Sequence, residues 1–269
     1  MMQRTLSEFL CRLEALGERC VRFRWGVVTA DSRFPDVHDA NHALVLGENT
    51  PKSEEVLEAL RDVHAHLRTA FEQVEVVDVQ THASLCDALQ RHFGEPRGFA
   101  LMLADAESRV QPSAEVVELP PPDEPAWLAL RRAAHEETVS GRAHTALIPD
   151  DVLRQLARRT LVVFFPAGRR LFAVTQAGRS VSAATMQCIA DVGLIDDVVT
   201  TPECRRRGYA TAVVSAALNT ALGAGARHVI LFTDERGAAR QMYERIGFTE
   251  IARSAQFHKT SARGDPDRI

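Results

Sequence analysis

The residues with the clearest chemical potential lie in the C-terminal half of the chain. Three consecutive arginines end at Arg207, directly before Gly208, and the segment 209–226 that follows contains no charged residue. The first N–H groups of a helix have no acceptor within it and carry partial positive charge, so they bind phosphate oxygens. Gly208 and the small Ala210 let a ligand approach the backbone closely, and the arginines attract a polyanion. The pattern predicts a phosphate-binding turn between a strand and a helix.

The segment 198–211 resembles the pyrophosphate-binding motif of the GCN5-related N-acetyltransferase (GNAT) superfamily. An R-x-x-G-x-A pattern begins at Arg205 and follows an apolar strand and a Pro-Glu turn. The segment 239–248, placed after the apolar run 229–233, resembles the closing motif of the same superfamily. Two motifs in the correct order are more specific than either alone. The resemblance covers about residues 114–258, and the residues before it match weakly, as a degenerate related lobe would.

This resemblance implies acetyl-CoA as the co-substrate, with no metal. The pantetheine arm would pair with the strand like an added strand, and amides of the arginine loop would hold the pyrophosphate. An N–H near Val199 would polarise the thioester carbonyl and stabilise the oxyanion. Tyr243 would donate a proton to the leaving thiolate. The implied coenzyme-binding residues are Val198, Val199, Thr200, Arg205, Arg206, Arg207, Gly208, Tyr209, Ala210, Thr211 and Arg236.

The chain departs from the family pattern at one position, and its proton acceptor is less well marked. The superfamily often has Asn three residues before the alanine of the closing motif, where this chain has Arg236. An arginine could meet a coenzyme phosphate but cannot reproduce the contacts of an amide. A base, or a water chain to one, must take the proton of the amine, and the resemblance favours a carboxylate at the start of this strand. Strand alternation would send Asp196 and Asp197 to opposite faces. We favour Asp197; the alternative, that both lie on a solvated strand end, stays open.

Other chemistries find less support in the sequence. Cys204 stands beside the arginines, but no histidine is close in sequence and direct transfer needs no covalent step, so we expect a structural role. His135-Glu-Glu lacks the second histidine of an HExxH zinc site, and no G-x-S-x-G or G-x-x-x-x-G-K-[ST] motif occurs. Tyr243 could also be an ordinary core aromatic with a hydrogen-bonded hydroxyl.

Composition indicates an ordinary globular protein. The 269 residues are 45% hydrophobic and 25% charged, with a formal net charge of −4. That balance gives no bulk attraction to nucleic acid or to anionic membranes. The five cysteines form no C-x-x-C pair, which indicates a reducing compartment. Charged residues interrupt any signal-peptide core near the N-terminus, and 209–226 is short for a membrane span, so we expect a buried helix and a cytoplasmic protein.

The order of predicted elements indicates a mixed α/β chain with two lobes. Strand, helix, strand, helix, strand follow one another from residue 42 to 103, and a similar order returns from residue 194. We therefore predict an αβ lobe over 1–112, GNAT-like in a degenerate form, and a GNAT domain over 113–269 with a mostly antiparallel, splayed sheet. The apolar run 161–165 and the segment 20–29 are each predicted as one strand.

These observations lead to an expected function. The chain would be an acyltransferase that moves an acetyl group from acetyl-CoA to a primary amine by direct transfer. The acceptor would be a small molecule in preference to a protein, and the first lobe would shape the acceptor site or support a homodimer. The alternative is an acyl-CoA-binding sensor or scaffold without catalysis, and a longer acyl donor stays open because no motif reports the width of the pocket.

Overall fold

The computed structural model describes residues 2–67, 71–108, 110–140, 148–235, 237 and 239–260, with the backbone alone for 133–140 and 260. The helices and strands, in chain order, are α1 (Met2–Glu14), β1 (Arg19–Phe23), β2 (Gly26–Ala30), β3 (Ala43–Val45), α2 (Ser53–Val63), β4 (Phe71–Val77), α3 (Ala83–Phe93), β5 (Arg97–Ala104), β6 (Val117–Leu119), α4 (Glu124–Ser140), α5 (Asp150–Arg159), β7 (Arg170–Gln176), β8 (Arg179–Ile189), β9 (Val192–Thr200), α6 (Tyr209–Gly223), β10 (His228–Asp234), α7 (Ala239–Ile246) and β11 (Thr249–Thr260). They form two compact units, one up to Leu101 and again from Glu250, the other from Met102 to Thr249.

The first unit holds strands in the order β1-β2-β3-β4-β11. Neighbouring strands are antiparallel except β3 and β4, which pair in parallel. The parallel pair requires a crossover connection, and α2 supplies it. The apolar face of α2 packs Val56, Leu60 and Val63 against Val45 and Val76 in one buried cluster. Each such side chain contributes about 1.5–3 kcal/mol by leaving water.

The second unit likewise contains five strands, in the order β6-β7-β8-β9-β10. The first four strands pair antiparallel, and β9 pairs in parallel with β10 through the crossover helix α6. The prediction of a mixed α/β fold with a mostly antiparallel open sheet is confirmed. Each unit thus contains a strand–helix–strand crossover with parallel strands, as the similar order of elements in the two halves of the sequence predicts.

Helix α6 has no charged residue because most of its surface is buried. Ala212, Val213, Val214, Ala217 and Leu218 are all completely inaccessible to solvent. A helix that is apolar on most of its circumference must lie inside a protein or a membrane. No helix in the described part of the chain combines the length and the apolar character needed to cross a bilayer.

Two predicted strands take another form in the structure. The run 161–165 continues α5 as a π-helical turn, Thr160–Phe164, because a short apolar run fits a buried helix as well as a strand. The segment 20–29 is a hairpin of β1 and β2 and not one strand. Gly26 lies at its turn, where an added Cβ would stand 2.0 Å from the carbonyl oxygen of Leu44. The close approach of the two backbones therefore requires glycine.

The compact units are groups of residues in mutual contact, whereas the predicted domains are two continuous segments of the sequence. β11 follows the second unit in sequence but belongs almost entirely to the first, and β5 passes from the first unit into the second. The predicted domain limits of 1–112 and 113–269 stay a proposal.

Candidate active site

The centre of the second unit is a gap between β9 and β10. The two strands pair through three positions, which end at Leu194 and Ile230, although β9 continues to Thr200 and β10 to Asp234. On its other edge β9 stays paired with β8 as far as Thr200. The sheet therefore splays, and one edge of β9 after Leu194 offers backbone groups that no β10 partner uses in the ladder. An extended ligand can pair with such an edge as an added strand.

A β-bulge lies in the middle of this edge. Ala183 pairs with Val199 and Thr185 pairs with Asp196, so two residues of β9 lie opposite Ala184 alone. Within the bulge Asp197 has φ of 50°, in the left-handed region. A bulge interrupts the ladder and turns backbone groups away from their regular directions. This bulge lies on the stretch for which the resemblance implies an N–H directed at a thioester.

A turn is present at the end of β9, where the arginines predict one. Pro202–Cys204 forms a short helical turn, Arg206 and Gly208 both have positive φ, and α6 starts at Tyr209. The first bond of α6 runs from the Ala212 N–H to the Gly208 carbonyl, so the N–H groups of Tyr209, Ala210 and Thr211 lack an acceptor inside the helix. Left-handed residues within such a turn form a concave group of N–H donors.

The three arginines of this turn differ in their surroundings. Arg206 and Arg207 are exposed beside the start of α6. Arg205 is half-buried, and its Nε donates to the carbonyl oxygen of Thr200 at 3.0 Å. Burial lowers the pKa of Arg205 from its ordinary value. Arg205 thus connects the turn to the end of β9 through a hydrogen bond, whereas Arg206 and Arg207 are exposed to solvent.

Asp196 and Asp197 belong to an ion cluster that the sequence reasoning missed. Asp197 has only 8% of its side chain exposed and forms ion pairs with Arg131 of α4 and with Arg169, which precedes β7. It also accepts a hydrogen bond from the Thr185 hydroxyl at 3.2 Å. Asp196 pairs with Arg169 at 3.2 Å but keeps 52% of its side chain exposed. The signal that could have revealed the cluster is the carboxylate pair itself, because adjacent acids inside a sheet require buried counter-charges.

Tyr243 is buried on α7, with 6% of the residue exposed, and its ring meets Phe248 edge-on at 6.1 Å between centroids. Burial raises the pKa of Tyr243 well above its ordinary value, and the charge of Asp196 raises it further. The phenol therefore stays protonated at any physiological pH, as a proton donor must.

Three other residues that the sequence analysis named are Cys204, Tyr209 and Arg236. Cys204 is buried with its thiol directed at Gln176 Oε1 at 3.7 Å, and the Tyr209 hydroxyl accepts a hydrogen bond from Gln176 Nε2 at 2.7 Å. Arg236 lies outside the described residues. Nowhere in the described ranges do three or more His, Cys, Asp or Glu side chains come together as a metal site would require.

The chain is similar to known proteins in sequence and in fold. Residues 121–248 match the sequence model of the acetyltransferase (GNAT) family. In fold, the chain is similar to a GCN5-related N-acetyltransferase from Kribbella flavida, with a TM-score of 0.65 and 18% identity over 94% of each chain. It is also similar to a functionally unknown conserved protein from Staphylococcus epidermidis, with a TM-score of 0.68 and 12% identity over 91% of this chain and 94% of that one.

A third similar structure is a tandem GNAT protein from the clavulanic acid biosynthesis pathway. Its TM-score is 0.52 and its identity 14%, over 77% of this chain and 69% of that one. Among curated proteins, none matches the chain in sequence. The similarities in fold extend over more than nine tenths of the chain in the first two structures, so they include the N-terminal residues.

Proposed function

We propose that the chain moves an acetyl group from acetyl-CoA to a primary amine. The match of residues 121–248 to the acetyltransferase (GNAT) family supports a general acyltransferase role. The single observation that carries this proposal is the juxtaposition of an unpaired edge of β9 with the N-terminus of α6. One end of that arrangement suits an extended pantetheine arm and the other suits a diphosphate. Transfer is direct, without an acyl-enzyme.

The turn before α6 fits the diphosphate of the coenzyme. The N–H groups from Arg206 to Thr211 are the proposed donors, and the exposed Arg206 and Arg207 add positive charge. Gly208 keeps the concave face open, since an added Cβ would stand 3.2 Å from Ser113 Oγ. No acidic residue occurs in the first turn of α6 to repel the anion. Val198, Val199 and Thr200 would pair with the pantetheine, and Arg236 would contact a phosphate.

The bulge in β9 supplies the electrostatic part of the proposed mechanism. An N–H near Val199, beside the bulge, would donate to the thioester oxygen on which negative charge develops during the attack of the amine. A preorganised donor of this kind is often the largest catalytic contribution. Tyr243, kept neutral by its burial, then donates its hydroxyl proton to the sulfur of the departing coenzyme.

The amine must lose a proton before or during its attack. The carboxylates at the start of the free β9 edge, Asp197 as the sequence favours or Asp196, are the proposed acceptors, directly or through water. The acceptor molecule is proposed to be a small primary amine. A carboxylate near the reacting nitrogen would attract its ammonium form before deprotonation.

The proposal is tested by incubating the full chain with acetyl-CoA and a panel of small primary amines while free thiol is measured. Release of thiol that depends on an amine, together with formation of the N-acetyl product, supports the proposal. Binding of acetyl-CoA in calorimetry without release for any amine would contradict catalysis and favour the sensor or scaffold. Absence of both binding and release in folded protein would overturn the coenzyme site itself.

A further inference from the structure

Two adjacent residues of β9 direct their carboxylates at the same nitrogen atom. Arg169 Nη1 lies 3.2 Å from Asp196 Oδ2 and 3.3 Å from Asp197 Oδ2. In a regular strand, successive side chains point to opposite faces, so one guanidinium nitrogen cannot reach both. The bulge makes this bridge geometrically possible, because it rotates Asp197 into the left-handed region with φ of 50°. The bridge and the bulge therefore depend on each other.

Residues of α4 and β8 also contact the bulge. Arg131 reaches Asp197 from α4. The Thr185 hydroxyl of β8 has one proton, which it can donate to the Asp196 carbonyl at 3.1 Å or to Asp197 Oδ2 at 3.2 Å. The Asp197 N–H donates to Asp196 Oδ1 at 2.8 Å. These contacts occupy both carboxylate oxygens of Asp197 and hold the peptide unit between Asp196 and Asp197.

Arg169 is itself held firmly. Only 1% of its side chain is exposed. Its guanidinium lies 4.0 Å from the ring centroid of Phe164, in a cation–π contact. Its Nε donates to Gln187 Oε1 at 3.3 Å. A planar cation fixed in this way can bind two carboxylates with little loss of side-chain entropy.

We propose that Arg169 and Arg131 are positioning residues that hold the β9 bulge through Asp197, and that Asp196 is the carboxylate that accepts the proton of the amine. The second part rests on the proposed function, whereas the first concerns the conformation of β9 alone. Asp197 is enclosed between two guanidinium groups that stabilise its ionised form, so it is poorly suited to take a proton. Asp196 keeps 52% of its side chain exposed, so an amine or a water molecule can reach its carboxylate. This assignment replaces Asp197, which the sequence favoured.

The positioning role is tested with Arg169→Met, with Arg169→Lys, and with Arg170→Met as the matched control. Arg170 is the next residue, and its ion pair with Glu118 is exposed. Hydrogen exchange of the amides at 195–200 reports the bulge without any substrate. We expect exchange at least roughly tenfold faster in Arg169→Met, partial rescue in Arg169→Lys and no change in Arg170→Met. Unchanged exchange in a folded Arg169→Met protein would overturn the positioning role.

Measurements of kcat and of the affinity for coenzyme A distinguish a positioning role of Arg169 from a role in coenzyme binding. We expect Arg169→Met to lower kcat by about 100-fold, as expected when an oxyanion donor is misdirected. Affinity for coenzyme A should stay within about threefold of the wild type, because the diphosphate donors lie in another turn. A kcat within threefold of the wild type would contradict the proposal. If the wild type binds no coenzyme A, the proposed function fails, and the exchange experiment still decides the conformational part.

The proton acceptor is identified by pH profiles of kcat/KM. Asp196→Asn should lose the acidic limb of the profile. The double variant Arg131→Met, Asp197→Asn removes one charge of each sign from the cluster, which limits the risk of misfolding, and should keep that limb even if its rate is lower. The reverse result, with the limb lost in the double variant and kept in Asp196→Asn, would overturn the assignment of Asp196.

Discussion

The Ser113 hydroxyl donates a hydrogen bond to the carbonyl of Gly208 at 3.4 Å, directly before the first turn of α6. The same carbonyl accepts the first hydrogen bond of the helix, from the Ala212 N–H at 2.9 Å. Gly208 is thereby held with φ of 81°, in the left-handed region. Its conformation determines the direction of the N–H groups proposed to hold the diphosphate.

Replacement of Gly208 by alanine should therefore weaken coenzyme binding by at least tenfold, by narrowing the concave face and straining the backbone. Gly178→Ala is the matched control, because Gly178 has φ of 75° in an open turn with no neighbour within 4 Å. Both changes should cost about 1–2 kcal/mol of unfolding free energy. Calorimetric titration with coenzyme A should show the affinity loss in Gly208→Ala alone; equal affinities for the two variants would contradict the account of this turn.

Substitution of Arg205 should affect stability, whereas substitution of Arg207 should affect coenzyme binding. Arg205→Met removes the hydrogen bond to the Thr200 carbonyl and releases the end of β9, whereas Arg207→Met removes an exposed charge. We expect Arg205→Met to lower the melting temperature by about 4 °C, consistent with a loss of roughly 1 kcal/mol or more. Arg207→Met should leave the melting temperature unchanged and weaken coenzyme binding in a salt-dependent manner. Thermal denaturation with equal shifts for both variants would show that Arg205 has no special structural role.

Tyr243→Phe removes the proposed proton donor and keeps the buried ring. It should lower kcat by about 100-fold at constant coenzyme affinity, within the range of general acid catalysis. Since burial raises the pKa of Tyr243, no loss of activity from its ionisation should appear below pH 10. Tyr209→Phe, which loses a partly exposed hydroxyl bonded to Gln176, is the control and should keep kcat within about threefold. Steady-state rates with comparable losses in both variants would argue against a donor role for Tyr243.

Glu75 in the first unit should make stability depend on pH. Burial raises its pKa from 4.5 to about 7, although Gln256 donates to its carboxylate at 3.0 Å. Between these values the folded chain keeps a proton that the unfolded chain releases, so the free energy of unfolding falls as the pH rises from 4.5 to 7. Glu75→Gln should recover roughly 2 kcal/mol at pH 8 and little at pH 4.

Urea denaturation at several pH values checks this contribution. Glu72→Gln is the control on the same strand, because Glu72 is only partly buried and lies beside His92. The difference in unfolding free energy between Glu75→Gln and the wild type should grow across the window from pH 4.5 to 7. A difference that does not change with pH would show that the Glu75 carboxyl has the same pKa in the folded and in the unfolded chain.

The local patterns of the sequence predicted the parts of the site that depend on the backbone. Three arginines, a glycine and an uncharged segment were sufficient to predict the turn and α6. The start of a helix and the burial of a helix both leave recognisable patterns in the local sequence. The splayed strands followed from the resemblance. The charge cluster could not be predicted in the same way: Arg131 and Arg169 lie 66 and 28 residues from Asp197 in sequence, and nothing local specifies their meeting.

The bulge explains why the expectation for the two carboxylates was incomplete. Strand alternation assigns Asp196 and Asp197 to opposite faces, and the extra residue of β9 breaks that alternation at this point. A similar ambiguity affected the run 161–165, whose apolar residues fit both a strand and the observed π-helical turn. In both places the decisive contacts are tertiary and not local.

The central claim is that the main chain before α6 binds a diphosphate and so directs a thioester to the β9 edge. Calorimetric titration of the full chain with coenzyme A and, separately, with pantetheine tests it most directly, because the two ligands share the thiol arm and differ in the diphosphate. The account predicts a micromolar dissociation constant for coenzyme A and binding at least roughly 30-fold weaker for pantetheine. Equal affinity for both ligands, or no heat with coenzyme A in folded protein, would contradict it.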